Sequence, residues 1–231
     1  MAEVFTLGEA LGVVSAERLR HDTTARLDVA GPELTTAIGL ARLGHPVAWS
    51  GRVGDDEIGA RVLTVLRGEG VDVSHAVVEP AADTGLILRQ RRVGRPRHNL
   101  HYRYGSAGSR LSPEDVPADA VRSARILHVT GITAAVSGTA WSAVHHAIKI
   151  ASDAGVLVSL DVAHRPELWP NRQEAAESLT ELARHADVVF ANAEELRLIE
   201  AAIGTVRELV VTRGGRGASA TVSGMRYDAP A

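Results

Sequence analysis

Apolar residues recur along the chain with the spacing typical of strands in some segments and of helices in others. Together these segments predict strands that alternate with single helices. The second half gives the clearest run, with strands predicted at 125–130, 156–161, 187–191 and 208–212. Helices are predicted between these strands, at 139–154, 173–184 and 193–202. Strands separated by single helices form parallel sheets with right-handed crossovers and helices on both faces. The pattern therefore predicts an α/β fold.

A strand–helix–strand unit in the first half is organised around glycines. Residues 31–59 read GPELTTAIGLARLGHPVAWSGRVGDDEIG. Pro32 is placed to begin a helix that Gly44 ends, and a half-buried strand follows. The strand leads into a glycine-rich bend that opens a second helix at about residue 56, and a further strand is predicted at 71–78. Asp55 and Asp56 stand where helix caps stand, which is a more common use than a paired-acid site.

The segments 84–93 and 100–104 carry polar residues at many positions and flank a GRPRHN turn. This composition is typical of an exposed hairpin, which we interpret as a lid. Residues 15–29 are too polar and irregular for an element of the core.

Composition narrows the class of protein. The chain has 231 residues, of which 45% are hydrophobic, and its 25 basic and 28 acidic residues leave a net charge of -3. No basic block suggests a nucleic-acid or membrane partner, so a small molecule is the expected partner. The chain has no cysteine, its N-terminus does not resemble a leader peptide, and no window is apolar enough for a membrane span. We therefore expect a cytoplasmic protein.

Nearly every predicted strand is followed by polar or glycine residues. In an open parallel sheet, ligands bind beyond the carboxyl ends of the strands, so these residues predict a binding site at one edge. They are Gly8 and Glu9, 51–56, Thr130 and Gly131, 161–165, Asn192, and 212–217.

The 31–59 unit, with its GRVGDD turn after the second strand, resembles the N-terminal signature of the ribokinase-like (PfkB) carbohydrate kinases. The resemblance implies a ribokinase-like three-layer α/β sandwich with a mostly parallel sheet and a small β lid. It implies one domain over 1–231, with the lid formed by segments near 10–30 and 84–105. Lid edges in this family often pair between subunits, so a homodimer is expected.

The segment DVAHRPELW, 161–169, resembles the branch of this family that phosphorylates 2-keto-3-deoxygluconate. Arg165 would hold the substrate carboxylate with a bidentate fork that lysine could not reproduce. Ala163 departs from the asparagine that the family usually has there. Thr35 likewise stands where an asparagine often occurs. The sugar-binding residues implied are Gly31, Thr35, Tyr102, Arg103, Asp161 and Arg165.

Two further segments resemble the nucleotide side of the family's site. In TRGGRGA, the residues Thr212, Gly214 and Gly217 match the segment along the nucleotide phosphates. In NAEE, Asn192 and Glu195 match an element that acts through Mg²⁺ and its water shell. The resemblance implies ATP and Mg²⁺ as cofactors. From the residues alone, a glycine hairpin and an ordinary helix cap remain open for these two segments.

The ten histidines do not indicate a metal site. His145 and His146 are adjacent, so on a helix they point in different directions and cannot chelate one ion. With no cysteine or clustered acid partner, zinc or a catalytic histidine is disfavoured. The first strand is not followed by GxGxxG, which disfavours a nicotinamide-dependent oxidoreductase.

Kinases of this family take their base and anion hole from a C-terminal motif, roughly DTxGAGD. The sequence ends at Ala231, where that motif is expected to follow, so the C-terminal part of the fold is expected to be missing and no catalytic residue is named. The expected function is ATP-dependent phosphorylation of a sugar or sugar acid, most closely 2-keto-3-deoxygluconate. The alternatives are a non-catalytic sugar- or nucleotide-binding protein of the same fold, and a kinase for ribose, fructose or a nucleoside.

Overall fold

The computed structural model describes residues 2–90 and 98–231 of the chain. The predicted GRPRHN turn, 94–99, lies largely outside them. The strands are β1 (Val4–Leu7), β2 (Leu11–Ala16), β3 (Arg26–Ala30), β4 (Val47–Ser50), β5 (Arg52–Gly54), β6 (Val77–Glu79), β7 (Leu86–Gln90), β8 (His98–Tyr102), β9 (Ile126–Thr130), β10 (Leu157–Asp161), β11 (Val188–Asn192), β12 (Glu208–Thr212), β13 (Ala218–Val222) and β14 (Met225–Ala229). The helices are α1 (Pro32–Arg42), α2 (Glu57–Gly68), α3 (Ala118–Ser123), α4 (Gly131–Val136), α5 (Gly138–Ala154), α6 (Arg172–Arg184) and α7 (Ala193–Leu198).

The main sheet has eight strands in the order β14-β13-β12-β11-β10-β9-β1-β4. The run from β12 to β4 is parallel throughout, and β13 and β14 are added in antiparallel fashion. The register places Asp161 beside Thr130, and Asn192 beside Thr212. The carboxyl ends of the parallel strands therefore meet at one edge.

Helices cover both faces of this sheet. Alternate residues of a strand point to opposite faces, and the two sets pack into separate clusters. Phe5 belongs to the larger cluster with residues of α5 and α6, whereas Val4 and Trp49 pack with residues of α1 and α2. The predicted three-layer α/β sandwich with a mostly parallel sheet is confirmed.

A second sheet of four strands has the order β3-β2-β7-β8. Its strands come from the two segments in which the lid was predicted, near 10–30 and 84–105. Leu11, Val13 and Ile87 form its small buried cluster, while the first residues of β3 are exposed. Residues 15–29 thus contribute strands to an outer sheet and not to the main core.

Two predicted elements differ from the structure. The strand predicted at 71–78 is reduced to β6, which pairs with β5, and Asp72 makes only a single bridge to Ala48. The reason is local, because the Asp72 carboxylate accepts a hydrogen bond from the Ser74 amide and turns the chain. The helix predicted at 193–202 ends at Leu198 and continues as a 3₁₀ helix over Glu200–Thr205.

The preferred role of Asp56 as a helix cap is confirmed. Its carboxylate accepts hydrogen bonds from the amides of Gly59 at 2.7 Å and Thr84 at 2.7 Å. Among the described residues, no helix combines the length and the hydrophobicity that crossing a bilayer would require.

Candidate active site

The residues around Gly31 form one end of the site. Gly31 is buried at the start of α1, and a Cβ atom added there would lie 2.4 Å from the carbonyl oxygen of Glu9. The hydroxyl of Thr35 donates to the Gly31 carbonyl at 2.7 Å, so it holds the first turn of the helix. The segment after β1 and the start of α1 therefore approach as closely as two backbones can.

Two buried carboxylates lie beside this approach. Glu9 and Glu33 are exposed by only 1% and 0%. Glu9 accepts hydrogen bonds from Nε and Nη2 of Arg103, which follows β8. Glu33 accepts a hydrogen bond from the Thr130 hydroxyl at 2.7 Å. The predicted residue Arg103 is thus joined to the main domain through an ion pair.

Burial controls the protonation of both acids. Burial raises the pKa of Glu9, and hydrogen bonds from Arg103 oppose this shift. Burial also raises the pKa of Glu33 to about 7, against the opposing effect of the Thr130 and Thr133 hydroxyls. The nearby charge of Glu9 adds to the increase for Glu33. The protonation of Glu33 therefore changes near neutral pH.

A cleft of about 1020 Å³ lies between the second sheet and the start of α5. Its walls are formed by residues of β8 and the turn after it, by the end of α4, and by Glu167 and Leu168. His101 and Arg103 line it. Tyr102 is absent from the described lining of this cleft and is 58% exposed.

Asp161 is the last residue of β10, and Arg165 lies in the loop that follows. Asp161 is half-buried, and burial together with the nearby Glu195 raises its pKa to about 6. Arg165 is exposed and donates to the carbonyl of His164 at 2.9 Å. Partial burial lowers the pKa of His101, and the charges of Arg103 and Arg165 both add to this decrease. The structure therefore brings both predicted arginines near His101.

Ala163, which replaces the usual asparagine of the family, adopts a left-handed conformation with φ 40°. Asparagine tolerates this conformation better than alanine does. The departure noted in the sequence is thus a point of backbone strain between Asp161 and Arg165.

Asn192 and Glu195 form a capping box at the start of α7. The Asn192 side chain accepts hydrogen bonds from the amides of Glu194 and Glu195. Glu195 is buried, and its two oxygens accept hydrogen bonds from the amides of His164 and Asn192. Glu195 therefore joins the loop after β10 to β11, and its remaining lone pairs suit contact with a metal through water more than direct ligation.

The glycine-rich loop after β12 is open to solvent. Thr212 and Gly214 are exposed, and Gly214 and Gly217 have φ values of 56° and 84°. The loop forms a short 3₁₀ helix, Gly214–Arg216, beside the exposed Asn192. Such a loop presents backbone amides to an anion.

One histidine, His128, is buried within the main sheet. His128 contacts the Ser159 hydroxyl at 3.0 Å, and burial lowers its pKa to about 4. Over the ranges 2–90 and 98–231, no group of three or more histidine or acidic residues is arranged to hold a metal ion.

Two residues of this site, Glu33 and His101, were not singled out as functional from the sequence, and Glu9 was predicted only as part of the ligand edge. A glutamate in the first turn of a helix is common, so Glu33 gives no specific signal. The partners of Glu9 and Glu33 lie more than ninety residues away, at separations of 94 and 97. No signal in the sequence favoured His101 over Tyr102.

Comparisons with known proteins agree with this arrangement. A family model described as pfkB family carbohydrate kinase matches residues 1–231. The chain is 36% identical over 205 residues to a 2-dehydro-3-deoxygluconokinase from Thermoproteus tenax, covering 86% of this chain and 62% of that protein. The chain therefore spans less than two thirds of the length of this curated relative.

Solved structures show the same fold. A PfkB protein from Polaromonas sp. JS666 superposes with a TM-score of 0.93 at 31% identity, covering 100% of this chain and 83% of that one. A fructokinase with bound ATP from Xylella fastidiosa has a TM-score of 0.86 at 24% identity, covering 100% and 78%. The second likeness, at this identity, concerns the fold alone.

Proposed function

The chain belongs to the pfkB family of carbohydrate kinases, and we propose that it serves the ATP-dependent phosphorylation of a sugar acid, with 2-keto-3-deoxygluconate as the substrate. This compound is the 2-dehydro-3-deoxygluconate in the name of the Thermoproteus tenax relative. The observation that carries the proposal is that Arg103 lines the cleft, while the exposed Arg165 stands in the same loop as Glu167 and Leu168, which also line it.

The two arginines differ in what they offer to a carboxylate. Arg103 already shares its guanidinium with Glu9, whereas Arg165 is exposed and donates a hydrogen bond to the carbonyl of the neighbouring His164. We assign carboxylate recognition to Arg165 because its fork is open to a ligand. Gly31, Thr35, Tyr102 and Asp161 stay predicted sugar contacts.

The second sheet is proposed to act as a lid. Its support is the Arg103–Glu9 pair, which joins the end of β8 to the segment after β1. The exposed edge strand β3 supports the proposed pairing of lids in a homodimer. Sedimentation of the purified protein would measure its oligomeric state, and a monomer at all concentrations would contradict the proposed homodimer. The cytoplasm remains the proposed location.

ATP is proposed to bind along the loop after β12, where Thr212, Gly214 and Gly217 present hydroxyl and backbone groups, with Asn192 beside them. Mg²⁺, when bound, would neutralise charge on the phosphates. A cation fits beside the carboxylates of Asp161 and Glu195, because burial, with the charge of Glu195 adding to it, raises the pKa of Asp161 and a positive charge would oppose both effects. We propose that Glu195 meets the metal through its water shell.

The test replaces Arg165 by alanine and measures binding of 2-keto-3-deoxygluconate and of ATP by calorimetry. Removing charged hydrogen bonds to a carboxylate should weaken sugar-acid binding roughly tenfold to a hundredfold and leave ATP binding unchanged. Arg184→Ala, at an exposed position of α6, is the matched control and should change neither affinity. ADP release in the presence of the sugar acid reports turnover.

An unchanged sugar-acid affinity in Arg165→Ala would remove the assignment of this residue. Binding of fructose, ribose or a nucleoside in place of the sugar acid would leave a sugar kinase of different specificity. Sugar or ATP binding without ADP release would favour the alternative of a binding protein of the same fold.

A further inference from the structure

We call the end of the site that carries the proposed sugar contacts Gly31 and Thr35 the sugar side. A small cluster of three ionisable residues lies there: Glu9, Glu33 and Arg103. Oε1 of Glu33 accepts the hydrogen bond from Thr130, but Oε2 has no hydrogen-bond partner among the described residues. A buried carboxylate oxygen without a partner costs far more when the group is charged than when it is neutral. The geometry therefore favours a proton on Glu33.

The space for both acids is created by glycines. A Cβ atom on Gly8 would lie 2.3 Å from the carboxyl carbon of Glu33, and one on Gly108 would lie 2.6 Å from Cγ of Glu9. Only glycine at these two positions allows the two acids to lie where they do. The cluster is a built feature of the fold, because the backbone is shaped around it.

The charges in this cluster do not balance if both acids are ionised. Arg103 is always protonated, and it is bonded to Glu9 by two nitrogens. Glu33 packs against Thr130 and Thr133 of the β9–α4 segment and against Gly8 of the segment after β1, and the charged group acting on it from these elements is Glu9. One arginine can neutralise one carboxylate. A second buried negative charge would be left without a counter-ion.

We propose that Glu33 is a positioning residue that must carry a proton. It ties the start of α1 to Thr130, and an anionic sugar binds at the adjacent site only while that proton is in place. This inference rests on the proposed function, because it concerns how the same site accepts a sugar acid.

The consequence for substrate binding is electrostatic. A sugar acid brings one negative charge to a site whose lid arginine is already shared with Glu9. Ionised Glu33 would add a further negative charge in a buried region, where charges are weakly screened. An ionised Glu33 would also be a buried charge without a partner at the start of α1, which is destabilising. A neutral sugar is not repelled by this charge, so its affinity should depend much less on whether Glu33 is ionised.

The experiment measures the affinity for 2-keto-3-deoxygluconate and for fructose by calorimetry at about pH 6 and about pH 8.5. In the unmodified protein, we expect sugar-acid affinity to fall roughly tenfold between these values, as Glu33 loses its proton. Glu33→Gln mimics the neutral acid and should bind equally well at both. Glu57→Gln, at an exposed first-turn position of α2, is the matched control and should behave as the unmodified protein.

A second measurement reads the proton directly. In ¹³C NMR spectra of protein labelled at glutamate carboxyls, one resonance should titrate near pH 7 and be absent from Glu33→Gln. Thr130→Val removes a hydroxyl that lowers the pKa of Glu33, so the midpoint should move upward.

The outcomes separate this inference from the proposed function. A sugar acid that binds equally at both pH values overturns the inference and leaves the proposed substrate intact. If fructose binds and the sugar acid does not, the proposed substrate fails along with its dependence on Glu33. A spectrum in which no glutamate titrates near pH 7 overturns the inference whatever the ligand.

Discussion

The proposed sugar side and the proposed nucleotide side of the candidate site hold their polar groups in opposite ways. On the sugar side, Glu9 and Glu33 are buried and bonded to partners 94 and 97 residues away. On the nucleotide side, Asn192 and Thr212 are exposed, and Asn192 caps the helix that it begins. One side is built from long-range contacts and the other from local ones.

This difference predicts what a substitution would change. Buried charges with distant partners contribute to the stability of the whole domain, because breaking one pair leaves the other group buried without compensation. Exposed groups in local motifs contribute little to stability and remain free to contact a ligand. Substitutions that leave a buried charge unpaired on the sugar side should therefore lower the free energy of unfolding, whereas substitutions of exposed side chains on the nucleotide side should act mainly on ATP affinity.

Arg103→Ala tests the sugar side most severely. It leaves the Glu9 carboxylate buried without its cation, so we expect the free energy of unfolding to fall by about 3 to 5 kcal/mol in urea denaturation. Arg42→Ala removes a pair with Glu69 that is largely exposed, and it should cost at most about 1 kcal/mol. Equal losses in the two variants would show that the Arg103–Glu9 pair behaves as a surface pair.

Glu33→Gln sharpens the comparison through pH. The folded protein holds the Glu33 proton up to about pH 7, whereas the unfolded chain loses it near 4.5, so stability falls as pH rises between these values. Glutamine has no proton to lose. At about pH 8, Glu33→Gln should be more stable than the unmodified protein by about 3 kcal/mol, a difference that shrinks toward pH 4.5. A difference that is independent of pH would contradict the raised pKa.

Gly217→Ala tests the nucleotide side. Gly217 has φ 84° and ψ -150°, and a Cβ atom there would lie 2.0 Å from the carbonyl oxygen of Ala229. We expect a loss of about 2 kcal/mol on unfolding, with weaker ATP binding and unchanged sugar binding. At Gly214, φ is 56° and an added Cβ atom would meet no other atom within 4 Å, so Gly214→Ala should cost about 1 kcal/mol. Loss of sugar binding in Gly217→Ala would mean that the two sides are coupled.

Ala163→Gly gives the smallest effect and lies between the two sides. It relieves the left-handed strain of about 1 kcal/mol but increases the freedom of the unfolded chain, so a net gain of about 0.5 kcal/mol is expected. Ala176→Gly in α6 has a favourable helical backbone already and should lose about 1 kcal/mol. Thermal unfolding would measure both, and a loss in Ala163→Gly would show that the strain is compensated elsewhere.

The sequence allowed the parallel strands β9 to β12 and the edge at which their polar ends meet to be predicted. The reason is that β9, β10, β11 and β12 carry strong apolar runs, and each ends in a polar residue. Asp56 could be predicted as a cap because capping depends on neighbours only three residues away. Local rules therefore explain the elements and one edge of the sheet.

The charged cluster could not be predicted in the same way. The pairing of Arg103 with Glu9 and the burial of Glu33 depend on how distant segments pack, and no spacing in the sequence indicates either contact. The positive φ of Ala163 was equally hidden, although the expected asparagine pointed to that position. The strand predicted at 71–78 was wrong because the Asp72 carboxylate turns the chain before a strand can form.

The position of β1 between β4 and β9 has a consequence for the order of events during synthesis. Thr6 donates a hydrogen bond to the carbonyl of His128, and Glu33 accepts one from Thr130. The sugar side therefore cannot form until the ribosome has added more than half of this sequence. At about 5 to 20 residues per second, the interval between Glu9 and Thr130 lasts roughly 6 to 24 s. Glu33 contacts Thr130 only once β9 is in place, so the burial that raises the pKa of Glu33 is completed late.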